Sequence, residues 1–285
     1  MDVISSAAEL RASCDEVRRA CRTVGFVPTM GFFHDGHLSL MHSAREERDH
    51  VAVSIFVNPL QFGPADDFAS YPRDLDRDLQ LAKAQGVDVA FAPAVEEMYP
   101  EGPPETTVDP GPLASMLEGA ARPGHFRGVC TVLARLFHLV GASHAYFGQK
   151  DAQQVAVVRR MVRDLAFPVE IVACPILREP DGLAMSSRNV YLDPKERQAA
   201  LCLSQALRAA VSAVEDGERS VDRILQAMRE RIAREPLATL DYVAVVDDDT
   251  FREIDELTGS ARALVAARVG RARLIDNTAL PVREN

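Results

Sequence analysis

No apolar run in the 285-residue chain approaches the roughly 20 residues a helix needs to cross a bilayer. The first residues also lack the basic start, apolar block and small-residue cleavage site of a secretory signal. Cysteine is sparse. Cys14, Cys21, Cys130, Cys174 and Cys202 are odd in number, widely scattered and form no close pair, which argues against a disulfide framework or a zinc site. A cytoplasmic location is therefore expected. Basic charge is in deficit too: 32 Lys and Arg against 42 Asp and Glu leave a formal charge of −10. Such a field repels nucleic acid and anionic membranes, so neither is an expected partner and an anionic substrate must be held by local charges. What the chain does have is 47% apolar residues, ample for one large domain or a large one with a small companion.

Along the chain, apolar and β-branched runs alternate with segments of helical period, the pattern of parallel strands joined by crossover helices. Strands are expected at 24–28, 51–57, 89–92, 145–147 and 169–174, with helices at 38–48, 75–85, 128–140 and 151–165. An N-terminal amphipathic helix runs through Leu10, Cys14, Val17 and Cys21. These elements describe an α/β domain with a doubly wound parallel sheet over 1–176. Beyond it, Leu203, Leu207, Ala210 and Val214, then Val221, Ile224, Met228 and Ile232, mark two helices, and three strand-like runs follow around 242–246, 263–269 and 274–275. Residues 177–285 thus read as a smaller α+β domain.

Three polar constellations punctuate this frame. In the first, Met30, Gly31, Phe32, Phe33, His34, Asp35, Gly36 and His37 lie where a strand passes into a helix, a setting whose backbone amides favour phosphate oxygens. Gly31 and Gly36 have P-loop spacing, but His37 and Leu38 stand where that motif needs lysine and a hydroxyl, so its chemistry is unsupported. Imidazoles can instead donate to charge developing on a phosphate or on leaving pyrophosphate. Taken alone, two histidines at this spacing fit a metal pair or ordinary helix-start residues equally. The second constellation joins Met185, Ser186 and Ser187 to Arg188, whose planar fork matches phosphate oxygens; a capped, solvated loop is the alternative. In the third, Gly148, Gln149, Lys150 and Asp151 follow a strand end, where a compact cation could meet a phosphate or simply be a surface lysine. Gln61 and His125 sit on two further loops that could face the same edge.

Together, residues 27–40, 58–62, 122–129, 147–154 and 178–192 resemble, in order and spacing, the pantoate–β-alanine ligase family of the nucleotidyltransferase superfamily, and the resemblance covers essentially the whole chain. It implies a Rossmann-like domain and a C-terminal lid. It also implies attack of the pantoate carboxylate on the α-phosphate of Mg2+-ATP, then displacement of AMP from pantoyl adenylate by β-alanine. Carried over position by position, the family's ATP site is 30–37, Gly148 to Asp151, Leu177 and Met185 to Arg188. Within it His34, His37, Lys150, Ser186, Ser187 and Arg188 are the catalytic set, and His37 is the proton donor. Gln61 and Gln154 hold pantoate, with Gln61 bordering β-alanine. A homodimer is implied; ligands for Mg2+ are not. Phe32, Phe33, Gln149 and Ile176 depart from the family pattern, the two phenylalanines adding bulk expected to lie close to the nucleotide. His42, His50, His138 and His144 are read as structural.

Overall fold

The computed structural model describes residues 1–63, 68–69 and 71–281. Residues 64–67 and 70 of the expected first domain, and 282–285 of the second, lie outside the described residues. The chain forms two compact units, Met1–Gln149 with Gln153–Pro175, and Lys150–Ala152 with Ile176–Asn285.

In chain order, the first unit is built from β1 (Asp2–Ile4), α1 (Ala7–Arg19), β2 (Val24–Thr29), α2 (Asp35–Glu47), β3 (His50–Ile55), α3 (Leu75–Ala84) and β4 (Val89–Phe91). The short α4 (Val95–Met98) and α5 (Glu118–Ala121), then α6 (His125–Val140), β5 (Ser143–Gly148), α7 (Ala152–Asp164) and β6 (Val169–Cys174), complete it. All six strands are parallel, in the order β1-β4-β3-β2-β5-β6. The chain steps outward from β2 to β4, then returns to lay β5 on the other side of β2. That reversal is the point of an open α/β sheet where ligands collect, beyond the carboxyl ends of the strands.

Both sheet faces are covered, which is why the strands read as continuous apolar runs. Alternate residues serve opposite cores: Phe26, Ala52, Val89 and Ala145 pack with α1, α6 and α7, whereas Val27, Val53, Ala90 and Tyr146 pack with α2 and α3. Strand β1 went unanticipated, because three residues at a sheet edge carry too little periodicity. Helix α1 stops at Arg19, so Cys21 is exposed, with φ +56, rather than on the helix's buried face.

The second unit contains α8 (Pro194–Glu215), α9 (Val221–Ala233) and the antiparallel strands β7 (Ala238–Asp247), β8 (Ala261–Val269) and β9 (Ala272–Leu280), ordered β7-β8-β9. Helix α8 begins where the sequence pattern asks: Asp193 accepts from the amides of Lys195 and Glu196, Pro194 fills the first turn, and Glu196 reaches back to the Asp193 amide. The helices bury Leu203, Leu207, Ile224 and Met228 against Val243, Val245, Ala263 and Val265. Among the described residues no helix is long and apolar enough to cross a membrane.

Candidate active site

Strand β2 ends at Thr29, and α2 starts six residues later with a histidine in place of the usual hydroxyl or carboxylate cap. His34 is the N-cap: its Nδ1 accepts from the Gly36 amide at 3.1 Å, and His37 Nδ1 accepts from the His34 amide at 3.3 Å. This is a capping box made of two imidazoles. A backbone amide only donates, so each Nδ1 must be the unprotonated nitrogen and, in the neutral ring, Nε2 carries the proton. The two rings lie 4.1 Å apart between centroids. Their spacing and tautomers follow from bonds within one helical turn.

The turn before them is fixed from a distance. Gly31 and Phe32 both take left-handed backbone, with φ of +81 and +51, which turns the Phe32 and Phe33 amides onto the Asp78 carboxylate at 2.6 and 2.7 Å. A side chain on Gly31 would meet Asp78 Oδ2 at 2.9 Å, so glycine is needed for this close approach as well as for its φ. Asp78 is 1% exposed; burial raises its carboxyl above the ordinary range although the two amides pull the other way. The amides of Phe32 and Phe33 serve Asp78, and those of His34 and Gly36 serve imidazoles. Phe33 is 1% exposed and packs in the core with Leu40 and Met41, its ring centroid 5.6 Å from that of His37, while Phe32 stacks under the Arg77 guanidinium.

Past β3, a single 3-10 turn, Pro59–Gln61, presents Gln61. Buried Asn58 organises it, donating to Gln61 Oε1 at 3.2 Å and to the Gly128 carbonyl at 3.1 Å while accepting from the Tyr99 hydroxyl at 2.9 Å. Gln61 Nε2 donates to Met30 Sδ at 2.9 Å, tying this turn to the end of β2. Its backbone carbonyl takes His125 Nδ1 at 2.9 Å and Arg122 at 3.4 Å. The first turns of α6 come so near that a Cβ on Gly128 would sit 2.2 Å from the Leu60 carbonyl oxygen. On α7, Gln153 is buried and spent on the backbone of Leu113, Met116 and Glu118, whereas Gln154 next to it is half-buried.

In the second unit, Lys150 is half-buried, with Asp151 Oδ1 at 3.5 Å. Its backbone carbonyl accepts from Asn277 at 2.9 Å. Residues 177–185 form a small hairpin: the Met185 amide donates to the Leu177 carbonyl at 3.0 Å, and Arg178 bridges Ala184. Leaving it, Ser186 caps the turn Ser187–Tyr191 through the Arg188 amide at 3.2 Å, and Asn189 ties back to the Ala184 carbonyl. The structure thus joins Met30 to Gln61 and His34 to His37 within one unit, and Leu177 to Met185–Arg188 within the other. Sequence reasoning missed Asp78, Asp276 and Asn277. Their traces are polar residues interrupting apolar stripes, on α3 for the first and midway along β9 for the pair. Burial pushes the thiols of Cys14 and Cys202 up to about 11 and that of Cys130 to about 12, which keeps these three protonated.

The family model for pantoate-beta-alanine ligase matches residues 2–279. This chain belongs to the pantoate–β-alanine ligase family. Among its relatives, the pantothenate synthetase of Roseiflexus castenholzii is 57% identical over 280 residues, spanning 98% of this chain and 99% of the relative. That of Heliobacterium modesticaldum is 56% identical over 282 residues, spanning 99% and 100%. The crystal structure of pantothenate synthetase from Thermus thermophilus superposes with a TM-score of 0.91 at 52% identity, covering 98% of this chain and 99% of that one. The ligase from Francisella tularensis, solved in complex with beta-gamma ATP and beta-alanine, gives 0.79 at 32% identity, covering 98% and 97%. Family membership makes this chain an enzyme, a ligase that forms an amide bond.

Proposed function

We propose that this ligase makes pantothenate in two steps. In the first, a pantoate carboxylate oxygen bonds to the α-phosphorus of ATP as the bond to pyrophosphate breaks. In the second, the β-alanine amine attacks the acyl carbon of pantoyl adenylate and AMP leaves. Two anions must meet in line, so the site needs cations and oriented donors that strengthen as charge moves to the leaving group.

The observation that carries this reading is the reciprocal histidine cap, which commits both Nδ1 atoms to backbone amides and so makes both neutral rings Nε2 donors. His34 and His37 donate to the phosphates, His37 supplying the proton. Lys150, Ser186, Ser187 and Arg188 are assigned to ATP phosphates, with Gly148, Gln149, Asp151, Leu177 and Met185 as further nucleotide contacts. Gln61 and Gln154 orient pantoate; the Gln61 amide is supported in this role by its fixed turn, and Gln154 by a neighbour, Gln153, already spent on structure. Among the described residues no three His, Cys, Asp or Glu side chains gather into a metal cage. We take Mg2+ as part of the substrate, carried by the ATP phosphates and water, and assign no step to it. Free cysteines support a reducing, cytoplasmic setting, and the assembly proposed is a homodimer, which a sedimentation measurement would test.

The test is isotope exchange between ATP and pyrophosphate. Exchange that requires pantoate and proceeds without β-alanine supports the adenylate route; ATP binding with no pantoate-dependent exchange refutes it.

A further inference from the structure

Asp276 and Asn277 are consecutive on β9, in a stretch that otherwise packs Leu274 and Leu280 into the core. Asn277 is 1% exposed and uses both ends of its amide: Oδ1 accepts from Arg262 Nη1 at 2.7 Å, and Nδ2 donates to the Lys150 carbonyl at 2.9 Å. Arg262 is already paired with Asp248 through Nε at 2.6 Å and Nη2 at 3.1 Å, so its charge does not require Asn277. Asp276, 4% exposed, takes both arms of Arg178 at 2.7 and 2.9 Å, and Arg178 also donates to the Gly182 carbonyl at 3.1 Å. One point on a strand therefore grips two distant segments, the Lys150 turn and the hairpin that leads into Ser186, Ser187 and Arg188.

A lysine is a point charge on a four-carbon stem, and where its ammonium can act depends on where its backbone is pinned. Lys150 lies in a three-residue 3-10 turn, Gln149–Asp151, too short to define its own path. We propose that Asn277 is a positioning residue for adenylation. It fixes the Lys150 backbone so that the ammonium meets the nucleotide phosphates, while Asp276, through Arg178, aligns the hairpin that carries the other phosphate contacts. This inference rests on the assignment of Lys150 to the phosphates.

The experiment is a double-mutant cycle read by pantoate-dependent exchange, with Asn277→Ala and Asn277→Asp each made in the full chain and in Lys150→Ala. Asn277→Asp is isosteric and retains the acceptor for Arg262 but puts a carboxylate oxygen where the donor to the Lys150 carbonyl was, and Asn277→Ala removes that bond without adding charge. Each variant is expected to lower kcat/KM for ATP by about 10- to 100-fold, the scale of a small misplacement, with the KM for pantoate unchanged. In the Lys150→Ala background the further loss should vanish. An equal loss in both backgrounds, normal exchange by Asn277→Asp, a rise in the pantoate KM, or failure of both variants to fold would each overturn the proposal and leave the ligase reading intact. Normal exchange by Lys150→Ala itself would instead remove the Lys150 assignment, and this inference with it.

Discussion

In the parallel-sheet unit, the turn bearing His34 and His37 is capped by bonds that span two or three residues, and the Gln61 side chain is held by the neutral amide of Asn58 and the sulfur of Met30. In the antiparallel unit the corresponding turns hang on bonds that close about a hundred residues of chain or more, the ion pair of Arg178 with Asp276 and the amide bond of Asn277 to the Lys150 carbonyl. A bond closing a short loop costs little chain entropy and forms wherever the local sequence permits; one closing a long loop waits for the sheet to assemble. Breaking a buried ion pair also strands a charge, a larger penalty than losing a neutral cap. The first unit should accordingly lose chemistry without losing its fold, and the second should lose both together.

The largest effect expected is chemical. His37→Ala should lower the rate of pantoate-dependent exchange about 100- to 1000-fold, as a lost transition-state donor does, while calorimetry shows a nearly unchanged melting temperature. Near-normal exchange would cancel its role, and a collapsed fold would break the contrast between the units. Next comes Asp276→Ala, which leaves Arg178 without its partner and should destabilise the second unit by about 3 kcal/mol in urea titrations. A loss under about 1 kcal/mol would show that this pair is no keystone. Gly128→Ala follows, since its methyl would be forced onto the Leu60 carbonyl; a cost of about 1–3 kcal/mol is expected, with a raised KM for pantoate as Gln61 is displaced. An unaffected pantoate KM would separate packing at α6 from the Gln61 turn.

The smallest effect concerns His50 at the opposite end of the sheet. Burial holds its pKa below 6.5, against the pull of Asp88, whose carboxylate lies 3.6 Å away. The unfolded chain then takes up a proton that the folded one refuses, so stability should fall as pH drops below 6.5 toward the folded value and be fully retained above it. His50→Gln should flatten that part of the acid limb in chemical denaturation; an identical limb in the variant would show that His50 does not set it.

Legibility follows the same divide. Strands β2, β3, β5 and β6 and helices α2, α7 and α8 were readable because period, caps and breakers lie within each segment, and the histidine pair was readable because its partners are three residues apart. The role of Phe33 was not. Residues beside a ligand-binding turn look alike in sequence whether they face the ligand or the core, and only the left-handed turn held by Asp78 sends that ring inward. Gln153 and Gln154 pose the same problem: which of two adjacent amides is spent on structure depends on the loop at 113–118, supplied from elsewhere in the chain.

Alternating apolar runs, residue-level caps and five ordered motifs were enough to specify a doubly wound sheet, its family and the chemical groups on offer, because each is written in side-chain types and short spacings. That Asp78 takes the Phe32 and Phe33 amides, and how β9 reaches both Lys150 and Arg178, were decided by tertiary structure alone. Those outcomes depend on distances between residues remote in the chain, and no local rule of propensity or pattern encodes them.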